Sequence, residues 1–529
     1  MSRSKRVVAA ATVSLMALAV AACGDDNDSS GSKGGGSSSG KAVIMGTTEP
    51  VNSLDPAATY DLGSWTVNYN TFQQLLTYEA GAKDYTGDAA EKCEFTDAKT
   101  FTCTIKDGLK FTNGSDLTAE DVAFSIKRVV TIADPAGGSS LFNSMQSVEA
   151  KDPKTVVFHL KRPDATFPQV LTTGSASIVP SDADYPADKL RMADNSIGSG
   201  VYKLDKYKPK QLASFVANKD YTGPRKPKSQ QYVLQFFSEE STLKQAVENG
   251  KVDFAYGKLS PTTLQAIEKD GASKGVSIVQ GAGAEIRYIA FNVKSKPVDN
   301  KVVRQAIAQV LDRKSIAENV YNGNVVPLYS MVPQGLNGAV ESFKEKYGEP
   351  SADKAAALLR KAGVKTPVSV DLWYSSEKYG AVTTDEFTEI KRQLEESKLF
   401  KVKLDSTGWE QYQKAAFDED LYPGFGLGWY PDFPDADNYL SPFMRDGGYF
   451  TNNYSNPKVN SALDTELASD DAKVRNTAFA EIQKIIAEDV PVLPIWQGKQ
   501  SAVAREGITG LEETFDPSYI FRFWLIAKK

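Results

Sequence analysis

The chain has 529 residues, more than one hydrophobic core usually organises, so a globular body of two or three lobes is expected. Its 41% hydrophobic and 24% charged residues are ordinary for a folded protein, and no apolar run after residue 22 is long enough to span a bilayer. A formal charge of −6 argues against nucleic acid or anionic lipid as a partner of its surface.

The N-terminus "MSRSKRVVAAATVSLMALAVAAC" has a basic start at Arg3, Lys5 and Arg6, then an apolar run and small residues before Cys23, which is the pattern of a secretory signal over residues 1–22. "LAVAAC" resembles the bacterial lipobox, which implies that Cys23 is lipidated and holds the protein on the extracytoplasmic face of the cell membrane. Removing the signal moves the formal balance from −6 to −9, because three positive charges and no negative ones leave. Residues 23–41, rich in Gly, Ser and Asp, have almost nothing to bury and read as a flexible tether. Matches there to a phosphate loop ending at Lys41 and to a nucleophile elbow at Ser38 lack the strand that either motif needs.

From Ala42 the chain alternates short strands with amphipathic helices, so the class is mixed α/β in more than one lobe. "KAVIMGTT" is a strand. "KCEFTDAKTFTCTI" reads as a hairpin whose Cys93 and Cys103 face each other, a disulfide worth roughly 2–3 kcal/mol in an exported protein. "LTAEDVAFSIKRVV" is a helix with a capping box from Thr118 to Asp121 and Val122, Ile126, Val129 and Val130 facing inward. In "TVVFHLKR", alternation turns His159, the one histidine, to solvent. "DNKVVRQAIAQVLDRKSIAENVYNG" reads as one helix capped by Asp299, with Val303, Ile307, Val310 and Leu311 inward and Asn322-Gly323 as its stop. "AKVRNTAFAEIQKIIAED" is a third clear helix.

"GWYPDFPDADNYL", residues 428–440, gathers three carboxylates and four aromatic rings. As an acid/base pair, its aspartates would need two environments that push their pKa values apart, and a Ser-His-Asp or zinc mechanism has only His159 to use. As a calcium loop it lacks the glycine and terminal glutamate of the EF-hand spacing. As a plain surface loop its Asp, Pro and Asn are unremarkable. The preceding "FGLGWY" favours a pocket wall, since it sets Gly428 and Trp429 at a strand end where a backbone approaches a ligand closely.

Seven stretches in order carry a resemblance: "SLDPA" (Ser53 to Ala57), "TFTCTIKDGLKFTNGSDLTAEDVAFSIKRV", "GSGVYKLDKYKP", "NKDYTG", "AVENGKVDFAYG", "YIAFNVKSKPVDNKVVRQAIAQVLDR" and "AEDVPVLPIW". They resemble the family 5 extracytoplasmic solute-binding proteins of peptide and nickel ABC importers over about residues 43–527. The resemblance implies a bilobal periplasmic-binding-protein-like α/β fold with an extra peripheral domain. Lobe I would be 42–85, 181–291 and 499–529, the peripheral domain 86–180, and lobe III 292–498. Two hinge crossings would fall near "FNVKSK" and "IWQGKQ".

The same resemblance implies a monomeric, non-enzymatic binder without a cofactor that captures oligopeptides and delivers them to the transmembrane subunits of an ABC permease. Family peptide binders carry a G-W-x-x-D segment matching Gly428, Trp429 and Asp432, whose aspartate pairs with the ligand's α-ammonium. Tyr60, Trp65, Tyr288, Asn292, Trp409 and Tyr430 are further cleft candidates, while Asp435, Asp437 and Asn438 read as turn and cap residues. Dipeptide binders also place an arginine on the ligand's carboxylate. "DLWYSSEKYGAVTTDEF" has none and Arg392 reads as exposed, which implies longer peptides. Oligosaccharides, or a nickel chelate, are the alternative ligands.

Overall fold

The computed structural model describes residues 42–182, 184–257, 259–448 and 452–529. The signal segment 1–22, Cys23 and the tether 23–41 lie outside the described residues.

The period-two hairpin around the cysteines forms as the sequence predicts. Ala90–Asp97 and Thr100–Ile105 pair antiparallel with Cys93 opposite Cys103, and the two sulfurs are bonded. Thr155–Leu160 and Met145–Asp152 extend this into a four-stranded sheet, with half-exposed His159 beside Glu149. Helix α1 (Ala119–Ile132) packs on it and starts where Asp121 accepts from the Thr118 backbone N–H, 2.8 Å. Val122, Ile126 and Val129 are buried as predicted, but Val130 is 42% exposed. One residue beyond Val129 turns it about 100° off the buried stripe.

The "SLDPA" motif meets this helix. Asp55 and Arg128, both almost fully buried, form a two-pronged ion pair with both contacts at 2.6 Å. The rest of the Arg128 guanidinium donates to the Pro186 and Lys189 carbonyls, and Asp55 also accepts from the Ala57 and Arg191 backbone N–H groups.

Eleven strands make the main mixed sheet. Its order runs Phe400–Ser406, Val368–Tyr374, Gly424–Trp429, Val276–Phe291, Val492–Arg505, Phe254–Tyr256, Val43–Thr47, Gln231–Phe236, Leu212–Ala217 and Tyr202–Lys208, with Val325–Pro327 paired to Val492–Arg505 off this path. The long strands β1 (Val276–Phe291) and β3 (Val492–Arg505) hold the two halves together, antiparallel from Val276 opposite Arg505 to Ala290 opposite Val492, with a register shift between Ala282 and Ile286. Strand β2 (Gly424–Trp429) lies against the far end of β1.

The predicted long helix from residue 299 is two: Lys301–Val310 and Arg313–Asn319. Asn300, not Asp299, caps the first by accepting from Val302 N. The break falls at extended Leu311, after which Asp312 caps the next helix by accepting from Ser315 N, 3.1 Å. A residue that can bond the backbone two or three positions on competes with helix continuation there. Val303, Ile307, Val310 and Leu311 are buried regardless, and Asn322 and Gly323 adopt positive φ after the second helix. Helices α2 (Pro457–Leu467) and α3 (Ala472–Asp489) follow, packed together.

Apolar side chains collect in several clusters. The largest takes buried residues from Ala284 to Trp496 and a second those from Ala57 to Ile178, while a third joins Val43 to Phe254 with Ala502 to Ile526. Phe433 is the exception in sequence, since it packs into the second cluster and so pins the segment after β2 to a remote part of the chain.

Candidate functional site

Strand β2 is built from glycine and apolar residues, and its two edges differ. One edge pairs with β1 along its whole length. The other meets Val368–Tyr374 only at Gly424 and Phe425, and among the described residues no other strand replaces it at Gly426 to Gly428. Tyr412 Oη reaches the Gly426 carbonyl from that side, 2.8 Å.

Beyond β2 the backbone turns through Pro431 into a short 3-10 helix, Ala436–Tyr439, capped by Asp435, which accepts from Asp437 N at 2.9 Å. Asn438 ties this helix back to the strand. Its Oδ1 accepts from Trp429 Nε1 and from Asp432 N, both 3.0 Å, and its Nδ2 donates to Asp432 Oδ2, 3.0 Å. The other carboxylate oxygen of Asp432 accepts from Tyr60 Oη at 2.6 Å, across 372 residues of sequence. Burial raises the Asp432 carboxyl above the ordinary aspartate range, and the Tyr60 and Asn438 hydrogen bonds oppose that rise. Two bonds leave roughly half of a carboxylate's acceptor positions unused.

Tyr60, 40% exposed, stands edge-on to buried Trp65 with ring centres 5.7 Å apart. Trp65 is fixed by donating Nε1 to the Thr59 carbonyl, 3.1 Å, so it props Tyr60 from behind.

On the sheet face carrying Tyr430, the strand "AEIRYIAF" places Glu285 and Arg287 side by side as an ion pair at 2.5 Å. The Arg287 guanidinium carbon lies 4.3 Å from the Tyr379 ring centre and 5.1 Å from that of Trp496. Tyr430 packs edge-on to Tyr519, 5.8 Å between centres, and burial with the neighbouring Glu285 pushes its phenol well above the usual range. Tyr519 Oη accepts from the Ala284 and Glu285 backbone N–H groups, 3.0 Å each.

The structure therefore brings Asp432, Trp429, Tyr60 and Trp65 into one group, with Tyr430 beside Glu285 and Arg287. Trp409 touches the second group through Tyr379, 5.6 Å between ring centres. Tyr288 is buried core, and its ring packs on Phe443. Asn292 is 3% exposed, with its Nδ2 donating to the Asp420 carbonyl and its Oδ1 accepting from Lys294 N and Asn453 Nδ2. Its amide serves the turn after β1 rather than a pocket. Arg392 is an exposed helical residue paired with Glu389 and Glu396, as its sequence suggests.

Gly428 is required for a reason other than backbone approach to a ligand. A Cβ there would stand 1.8 Å from Arg287 Nη1. Gly428→Ala is expected to lower stability by about 1–3 kcal/mol, since Arg287 is wedged between rings and cannot yield freely. Denaturant unfolding checks this: the loss caused by Gly428→Ala should be much smaller when measured in an Arg287→Met background, and an additive double variant would disprove the clash.

Sequence reasoning missed Asn438 as a grip on Asp432 and missed the Glu285–Arg287 pair. The second was signalled by two opposite charges at alternate positions of an otherwise apolar strand. Among the described residues no group of three or more His, Cys, Asp or Glu side chains could hold a metal ion, and no helix is long and apolar enough to cross a membrane.

The long paired strands thus carry a hydrogen-bonded, half-buried carboxylate just past the end of β2, whose second edge no described strand pairs beyond Phe425. The family described as bacterial extracellular solute-binding proteins, family 5 Middle, matches residues 84–451, and the chain belongs to it. It is 26% identical over 494 residues to the probable D,D-dipeptide-binding periplasmic protein DdpA of Escherichia coli K12, covering 90% of this chain and 92% of that one. It is 26% identical over 535 residues to the oligopeptide-binding protein OppA of Bacillus subtilis 168, covering 94% and 95%. The structure of the periplasmic binding protein DppA from Helicobacter pylori in complex with peptide STSA superimposes with a TM-score of 0.74 at 21% identity, covering 92% of this chain and 98% of that one. The fold is thus the α/β periplasmic-binding-protein type.

Proposed function

We propose that the protein is the substrate-binding subunit of an ABC importer and captures oligopeptides by their free N-terminus, with Asp432 as the anchor. The observation that carries this reading is the Asp432 carboxylate, fixed from one side by Asn438 and from the other by Tyr60, just past the end of a strand whose second edge no described strand pairs beyond Phe425. An extended peptide adds to that edge through main-chain hydrogen bonds while its ammonium takes the remaining acceptor positions of Asp432. Trp429 and Tyr430 wall the place where its first residues lie. The names of DdpA, OppA and the peptide-bound DppA structure support a peptide as ligand.

Arg287 does not serve as a grip for the ligand's carboxylate, because Glu285 meets its charge. This supports ligands longer than dipeptides. In the same reading, residues 42–85, 181–291 and 499–529 form one lobe, 86–180 the peripheral domain and 292–498 the facing lobe, and the lobes close about the crossings after Phe291 and Trp496. The protein acts as a monomer tethered through lipidated Cys23, changes no bond in its ligand, and passes it to the permease.

Thermal unfolding of residues 42–529 with a panel of di- to octapeptides, their N-acetylated forms, oligosaccharides and nickel complexes tests this. A ligand at about 100 times its dissociation constant stabilises by about 2.7 kcal/mol. Free-amine peptides are expected to raise the melting temperature and acetylated ones not to. A response to sugars or nickel complexes alone would overturn the peptide assignment.

A further inference from the structure

Behind the Asp432 loop lies a buried acidic group that peptide binding does not use directly. Arg475, near the start of α3, sends Nη1 and Nη2 to the two oxygens of Asp435, 2.7 and 2.8 Å. Its Nε and Nη2 also reach Glu466 Oε2 on α2, 3.2 and 2.9 Å. Glu466 is 0% exposed and faces Asp437, 8% exposed, in the 3-10 helix that carries Asn438. One guanidinium thus contacts two carboxyl groups, and the second of these, Glu466, faces a third in Asp437.

The remaining oxygens decide the protonation. Among the described residues neither Glu466 Oε1 nor Asp437 Oδ1 has a hydrogen-bond donor, and both are buried. Two such carboxylate oxygens facing each other would repel and forfeit their hydration, whereas one proton between them satisfies both. Burial raises the carboxyl of Asp437 most, a hydrogen bond with Glu466 opposes the rise, and the charges of Asp435 and Asp164 add to it. Arg475 is the cation that acts on Glu466.

We propose that Glu466 is held protonated and donates its carboxyl hydrogen to Asp437, and that this neutral-acid contact positions the helix carrying Asn438 and hence Asp432. Glu466 is a positioning residue, because it acts on Asp432 through Asp437 and Asn438. Burial and the Asp437 charge push the Glu466 carboxyl up to about 11. A folded-state value above the unfolded one means that this contribution to stability is fully present below the unfolded pKa and is lost as pH rises toward the folded one.

Glu466→Gln keeps the shape and supplies an N–H donor without needing a proton. Its melting temperature is therefore expected to equal or exceed that of the wild type near pH 5, and to gain on it steadily up to about pH 9. If Glu466 were an ordinary carboxylate paired with Arg475, the variant would melt lower at pH 7 to 9 and the gap would close in acid, which overturns the proposal. The infrared spectrum reads the proton directly, through a protonated-carboxyl C=O stretch present in the wild type at pH 7 and absent in Glu466→Gln. Its absence from the wild type also overturns the proposal.

The positioning step rests on Asp432 being the peptide anchor and has its own readout. Using whichever free-amine peptide stabilises the wild type, Glu466→Ala should lose at least tenfold in affinity while Glu466→Gln retains it. Unchanged affinity in Glu466→Ala refutes positioning. If no free-amine peptide binds the wild type, the anchor reading fails, while the melting and infrared results still decide the proton.

Discussion

Asp55→Asn is expected to cost about 3–5 kcal/mol of folding stability, the largest effect of any single side-chain change described for this protein. The reason is the burial of its partner. The guanidinium of Arg128 is almost fully buried, and two of its contacts, at 2.6 Å each, are to the Asp55 carboxylate. Asparagine leaves that charge facing a neutral amide, and the two carbonyls of Pro186 and Lys189 cannot replace the lost anion. Denaturant unfolding of Asp55→Asn, Arg128→Met and the double variant measures this. The double variant should recover part of either loss, because it removes the stranded charge together with its partner. A single-variant loss below about 1 kcal/mol, or strict additivity, would show that the pair does not hold this part of the fold.

The second large effect is on binding. Asp432→Ala is expected to weaken a free-amine peptide by about 3 kcal/mol, roughly a hundredfold, by removing the only anion proposed to meet the buried ammonium. Calorimetric titration checks it, with an unchanged melting temperature of the unliganded variant showing that the fold is intact. Acid should imitate the substitution. The Asp432 carboxyl is raised by burial, so affinity is present above its folded-state pKa and falls as pH drops through it, sooner than an exposed aspartate would allow. Equal affinity in wild type and variant, or an acid profile unaltered by the substitution, would remove Asp432 from the site.

What could be read along the chain were features set by neighbours within a few residues. The Cys93–Cys103 hairpin, the Asp121 half of a capping box, the outward turn of His159 and the Asp435 cap all depend on contacts two to ten positions away. Even at this range two competing signals were missed. Asn300 displaced Asp299 as a cap because its side chain reaches Val302 N, and Asp312 stopped a helix that hydrophobic spacing alone would continue. The family resemblance likewise drew attention to Gly428, Trp429 and Asp432 by their order.

The sequence by itself determined the mixed α/β class and most of the elements, because strand and helix periodicity and local capping are properties of adjacent residues, while the family and the candidate site followed from the resemblance of its ordered motifs. Only the tertiary structure decided what each candidate residue touches. Tyr60 meets Asp432 across 372 positions, Arg287 on β1 fills the space that makes Gly428 necessary, and Asn292, plausible by position, spends its amide on a turn. Glu466 is the extreme case. Its single-letter identity predicts a charged surface residue, and only the convergence of α2, α3 and the loop after β2 removes its water and leaves Asp437 opposite it, which is what favours the neutral acid.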